Sequence, residues 1–323
     1  MIQQASGPKV AVIDIGSNTS KILISQFDQN GSLAPNLEKS FPCRLISSES
    51  QKRGFILPDQ LKQLFAVLEQ LVSISEEESS DHLTLVATEA IRRSANQEEI
   101  KAVIEEKFAH KLHVLSGQQE AELIADGVRF DPLIKGETHL QVFDLGGGSL
   151  EIIESMDGHS TFAKSVPLGA LSLAERLNVS SENPLSLSKV EEFNDYLFSE
   201  ISKVGLTNGT TAKLIGLGGA IFFMRKILAE QRGVGFEDCK QFTLEEITVL
   251  TEASCGMSMT ERISAFPHLP SDRADVFPLV CLVVEQLMKV VGKEHFYHSF
   301  CNLRYGVASN IAKFKGSPGC SFD

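Results

Sequence analysis

The sequence predicts a duplicated α/β protein whose two halves share one plan. Two observations carry this. The first is a pair of glycine-bearing loops, each closing an apolar strand and each led by an aspartate: Val12-Ile13-Asp14-Ile15-Gly16-Ser17-Asn18-Thr19 and Val142-Phe143-Asp144-Leu145-Gly146-Gly147-Gly148-Ser149. The second is the run of elements behind each loop: a second strand, a third strand and then helices, in the same order both times.

The elements come from spacing. Residues 9–14 and 21–26 form a hairpin around the first loop, and 41–46 is expected as the third strand. Pro58 opens an amphipathic helix with Leu61, Leu64, Phe65, Leu68 and Leu71 at helical spacing. Strand 83–87, helix 97–108 and strand 112–115 come next, and Gly117 leads into a helix to about residue 127. The second half repeats the hairpin at 140–144 and 150–154, with a third strand at 160–166 ahead of the turn Pro167-Leu168-Gly169. Helices 185–203, 221–231 and 244–255 come after it, with a short strand at 213–216. Residues 276–291 are apolar on nearly every face, which predicts a helix buried between others. A strand near Phe296 and a helix over 304–315 end the chain. The halves should part near residues 124 to 136, around Gly127 and Pro132.

Composition narrows the function. The chain has 323 residues, enough for two domains with separate cores, and 42% hydrophobic and 22% charged residues are ordinary for a globular protein. Its mean hydropathy is zero. Charged residues and a proline interrupt the longest apolar stretch, against a membrane span. The start lacks a basic region followed by an apolar run, which argues for a cytoplasmic protein. Six cysteines contain no C-x-x-C pair and read as reduced and buried. The net charge of −12 argues against a nucleic-acid partner. A local cradle and a metal can still hold a phosphorylated substrate.

Several segments carry residue types suited to chemistry. Asp14 and Asp144, each at a strand end before small residues and a hydroxyl, favour oxygen ligation of Mg²⁺ together with N–H donors for phosphate. Either alone reads more readily as a structural loop cap. Glu151, on the strand after the second loop, reads as a carboxylate supporting a metal site or as a plain strand residue. Arg92 and Arg93 leave strand 83–87, and guanidinium suits phosphoryl oxygens. A solvated helix start is the bland reading of that pair. Glu120 lies in the first turn of the helix after Ser116, where it reads as a general base or as a favourable charge at the helix dipole. Gly216-Leu217-Gly218-Gly219-Ala220-Ile221 is a weak dinucleotide signal, and no P-loop is present. His295 and His298 have H-x-x-H spacing without a nearby acidic or cysteine ligand and read as structural or surface residues.

At these residues the chain resembles the exopolyphosphatase/guanosine pentaphosphate phosphohydrolase family, within the actin/sugar kinase/heat-shock ATPase superfamily. The matching blocks begin at Asp14, Ala87, Ser116, Asp144, Pro167, Gly216, Arg273 and Leu303 and run almost the whole length. The resemblance implies two ribonuclease-H-like (actin-like ATPase) domains with a cleft between them, over 1–125 and 126–303, with a helix at about 304–323 packing back on the first. It implies a Mg²⁺-dependent enzyme releasing terminal phosphate from inorganic polyphosphate or from guanosine pentaphosphate. Glu120 would be the catalytic base and Arg92 a phosphate-neutralising arginine. Gly16, Ser17, Asn18, Thr19, Gly146, Gly147, Gly148 and Ser149 would hold phosphate, and Asp144, Asp14 and Glu151 the metal. Short-form relatives often form homodimers.

Four departures stand out: Gln119 where a second glutamate is usual, Ser172 where arginine is frequent, Thr19 for serine, and Ala220 for a hydroxyl residue. The chain looks like the short form, without the helical domains that extend a polyphosphate channel, so short chains are the expected substrate. A catalytically weak polyphosphate- or nucleotide-binding regulator is the alternative from another class, and a kinase of the wider superfamily is disfavoured.

Overall fold

A computed structural model describes residues 7–28, 33–177 and 182–313. The chain divides into two compact units, Met1–Lys135 with Cys301–Asp323, and Gly136–Phe300. A break after residue 125 would cut a helix, Gly117–Val128.

The first unit opens with the meander β1 (Lys9–Ile15), β2 (Thr19–Phe27) and β3 (Leu33–Pro42). Then come helices α1 (Ser48–Arg53) and α2 (Pro58–Glu77), strand β4 (His82–Ala87), helices α3 (Glu89–Arg92) and α4 (Gln97–Phe108), strand β5 (Leu112–Val114) and helix α5 (Gly117–Val128). The sheet order is β3-β2-β1-β4-β5, antiparallel through the meander and parallel from β1 onward. Alternation along β1 sends Ile13 and Ile15 to one face, where Leu64, Leu68 and Leu71 of α2 complete the core.

The second unit repeats this plan. Its meander is β6 (His139–Leu145), β7 (Leu150–Met156) and β8 (His159–Val166), followed by helices α6 (Ala170–Arg176) and α7 (Leu187–Ser202). Strand β9 (Lys213–Leu217), helix α8 (Gly219–Arg232), strand β10 (Gln241–Thr243) and helices α9 (Leu244–Gly256), α10 (Met259–Ala265), α11 (Ser271–Ala274) and α12 (Phe277–Val291) lead to strand β11 (His295–His298). The order β8-β7-β6-β9-β11 matches that of the first sheet, with β10 added antiparallel to β11. Helix α12 is buried at nearly every position and packs on α6, α7 and α9. The chain then returns to the first unit as α13 (Leu303–Lys313), which packs on α5 and on β1 and β2.

The third strand corrects the sequence expectation. Residues 41–46 are not a strand beyond Pro42; β3 starts at Leu33 and is mostly exposed. Cys43 and Leu45 are buried because their amides bind the first loop, donating to Asn18 O (3.1 Å) and Ser17 O (2.9 Å). The helix expected over 304–315 is described to Lys313, and its end lies outside the described residues. Cys43, Cys239, Cys255, Cys281 and Cys301 are buried and outside any disulfide, while Cys320 lies outside the described residues. No described helix is long and apolar enough to cross a membrane.

Candidate active site

The two loops are built alike. Gly16 N–H donates to Thr19 O at 3.1 Å, and Gly146 N–H donates to Ser149 O at 3.0 Å. In each unit an aspartate stands two residues before the glycine and pairs in register with the residue seven positions on, Lys21 for Asp14 and Glu151 for Asp144. Each loop is also held from behind through its carbonyls. Cys43 and Leu45 do this in the first unit. In the second, Leu171 N–H reaches Gly147 O at 2.8 Å and Ala170 N–H reaches Gly146 O at 3.2 Å. With the carbonyls taken from the rear, the amides of Ser17, Asn18, Gly147 and Gly148 find no backbone acceptor among the described residues. Such amides suit an anion. The side chain of Asn18 is buried, and both its Oδ1 and Nδ2 lack a partner among the described residues.

Glycine is required where the second loop meets its supports. An added Cβ at Gly169 would overlap the carbonyl carbon of Gly148 and the amide of Ser149. Gly218 has φ +109°, and a Cβ there would lie 2.5 Å from Leu145 O and 3.0 Å from Asp144 Oδ1. The glycines of the weak dinucleotide signal thus let the β9–α8 turn run against Asp144.

Two of the expected site residues of the first unit, Arg92 and Glu120, are in direct contact. Arg92 ends α3 and Glu120 lies in the first turn of α5, which Ser116 and Gln119 cap reciprocally. Arg92 Nη1 donates to Glu120 Oε2 and to Leu115 O, both at 2.8 Å. Its Nη2 donates to Glu89 Oε2 at 2.8 Å, and Arg93 Nη1 reaches Glu89 Oε1 at 3.0 Å. Burial works against the charge of Arg92, but Glu120 and Glu89 outweigh it and raise its pKa. The arginine expected to face phosphate therefore sits between two carboxylates. Sequence reasoning misses Glu89; its one signal is the i,i+3 spacing to Arg92.

The carboxylates that could hold a metal differ between units. Asp144 and Glu151, as cross-strand partners, project from the same face of the second sheet, where opposed side chains lie about 5 Å apart at Cβ. Glu151 is only 2% exposed, and Ser165 Oγ donates to its Oε1 at 2.7 Å. Asp14 instead faces a lysine. Burial raises its pKa, with Lys21 and Arg304 pulling the other way, and its Oδ1 has no partner among the described residues. Among the described residues no three of His, Cys, Asp or Glu gather into a metal cage. A carboxylate pair fits Mg²⁺, which takes one or two carboxylates and shares its other positions with phosphate and water.

His298 is structural. It is buried beside Arg225, whose Nη1 lies 3.5 Å from Nδ1, and burial and that charge lower its pKa to about 3. His295 is an exposed strand residue. Ser172 lies in the first turn of α6, and its amide donates to Gly147 O at 3.2 Å.

Paired units of this topology, each with an aspartate-led glycine loop, define the ribonuclease-H-like, actin-like ATPase fold. Within that class the chain belongs to the Ppx/GppA phosphatase family, whose model matches residues 24–314. It is 25% identical to a putative exopolyphosphatase of Haemophilus influenzae, over 94% of this chain and 92% of that one. It is 32% identical to a guanosine-5'-triphosphate,3'-diphosphate pyrophosphatase of Pseudoalteromonas translucida, over 51% of this chain but only 33% of that longer protein. The solved Ppx/GppA enzyme of Aquifex aeolicus superimposes with a TM-score of 0.79 at 25% identity, covering 94% of this chain and all of that one.

Proposed function

We propose that the protein is a Mg²⁺-dependent exopolyphosphatase that releases terminal orthophosphate from inorganic polyphosphate and favours short chains. The observation that carries this reading is Glu120, a carboxylate only 6% exposed at the start of α5 and fixed by Arg92. An oriented carboxylate of this kind aligns a water molecule and accepts its proton as the water attacks phosphorus. Arg92 supplies orientation to that base and positive charge beside it. In each unit the loop amides, those of Ser17 and Asn18 within Gly16–Thr19 and those of Gly147 and Gly148 within Gly146–Ser149, are donors suited to phosphate oxygens and to charge developing on them. Asp144 and Glu151 hold the metal in the second unit, and Asp14 is the weaker candidate of the first because it stands opposite Lys21. Bound Mg²⁺ would supply Lewis-acid stabilisation of phosphoryl oxygens.

The near full-length match to the Haemophilus influenzae relative supports inorganic polyphosphate. The Pseudoalteromonas translucida relative supports guanosine pentaphosphate as a second substrate of the same chemistry. A cytoplasmic homodimer completes the reading, with neither nucleic acid nor membrane as partner.

The test is orthophosphate release by the purified chain with Mg²⁺ on short polyphosphate, long polyphosphate and guanosine pentaphosphate. The reading predicts the highest kcat/KM on short polyphosphate. Release from the guanosine compound alone would shift the assignment to the second substrate. Tight binding of all three without release would make the protein a regulator.

A further inference from the structure

We propose that Glu89 is a positioning residue for Glu120, acting through Arg92. This rests on the reading of Glu120 as the base. Three side chains from two helices form a chain of charge-assisted hydrogen bonds. Glu89 and Arg92 lie on α3, directly after β4, and Glu120 lies on α5.

Glu89 is 7% exposed, and a buried carboxylate needs partners at both oxygens. It has them, since Oε2 accepts from Arg92 and Oε1 from Arg93. The guanidinium of Arg92 is planar and rigid, so a bond that fixes Nη2 also fixes the direction in which Nη1 points. Nη1 is shared between the Glu120 carboxylate and Leu115 O, the carbonyl just ahead of α5. Glu89 thus sets the plane of Arg92, and Arg92 sets the carboxylate of Glu120 against the helix start. The cluster of Glu89, Glu120, Arg92 and Arg93 is neutral in sum, so Arg92 is not drawn wholly onto the base. Without the Glu89 carboxylate, Arg92 is left with Glu120 as its main anion and turns toward it, which rotates the base from its working direction.

Phosphate release should be measured for Glu89→Gln in the wild-type background and in Glu120→Gln. The expected result is a loss of about ten-fold or more in kcat, with KM within two-fold, because misorientation of a base affects the reacting step rather than phosphate binding. In Glu120→Gln the same change should cause no further loss, since the two act as one unit. Glu89→Asp keeps the charge but is too short to meet Arg92, and should behave in the same way. An unchanged kcat in both Glu89 variants overturns the proposal, as does an equal loss in the two backgrounds, which marks a merely structural residue. Full activity of Glu120→Gln on its own would instead remove the base assignment.

Discussion

Asp144 and Glu151 face each other across β6 and β7, two carboxylates in register on one face of the second sheet. The first unit has the same hairpin but sets Asp14 against Lys21. Like charges directly opposite each other are destabilising, and a lysine at the matching place removes that cost. The duplicated scaffold therefore sets opposite charges across the hairpin in one copy and two carboxylates in the other. A divalent cation would relieve the second pair.

Added Mg²⁺ should accordingly stabilise the folded protein through Asp144 and Glu151. Thermal unfolding with and without Mg²⁺ checks this, because a ligand that binds the native state raises the midpoint. The wild type should melt higher with Mg²⁺, while Asp144→Asn and Glu151→Gln should lose most of that increment. In Mg²⁺ titrations of activity, Glu151→Gln should need about ten-fold more metal, the lower end of what support around a metal site contributes. An undiminished shift in both variants would place the metal elsewhere.

Gly169 should be intolerant of even a methyl group. Its added Cβ would overlap the backbone of Gly148 and Ser149, so either the second loop or α6 must move. Overpacking of this kind costs about 1–3 kcal/mol. Gly169→Ala is expected to lower the unfolding midpoint and to raise KM for polyphosphate. A wild-type KM would show that the position of the Gly147 and Gly148 amides does not matter to binding.

His298 predicts acid sensitivity. Its pKa in the fold is about 3, below the ordinary 6.5, so the folded protein keeps it neutral where the unfolded chain binds a proton. Its contribution to stability is complete above pH 6.5 and is lost as pH falls from 6.5 towards 3, at about 1.4 kcal/mol per pH unit. Denaturant midpoints at pH 7, 5 and 4 should fall more steeply for the wild type than for His298→Gln. Parallel curves would show that the histidine is not held neutral.

The duplication is legible in the sequence because both hairpins put the same residue types at the same offsets, and an apolar strand ending in Asp-x-Gly survives without tertiary information. Strand β3 is misplaced for a physical reason. Its residues are mostly exposed at a sheet edge and include Pro35 and Pro42, so it carries no core signal. Cys43 and Leu45 are apolar because they cover the first loop, which mimics a strand in the sequence. Helix α6 has no counterpart in the sequence expectation because it is only seven residues long and begins just after the turn at Gly169. Arg92 is visible as a cation near the site, and its link to Glu89 lies within one helical turn. Its bond to Glu120 spans 28 residues and depends on how β5 delivers α5, which no local pattern encodes. The contrast between Lys21 and Glu151 is present in the sequence but acquires meaning only with strand register.

The central claim is that Glu120 activates the attacking water, and steady-state phosphate release by Glu120→Gln on short polyphosphate tests it most directly. The substitution keeps size and a hydrogen-bond acceptor while removing the basic charge. The account predicts a kcat lower by at least about a hundred-fold with polyphosphate binding retained, the usual scale for loss of a general base. A variant that folds, binds polyphosphate and turns over at the wild-type rate would contradict it.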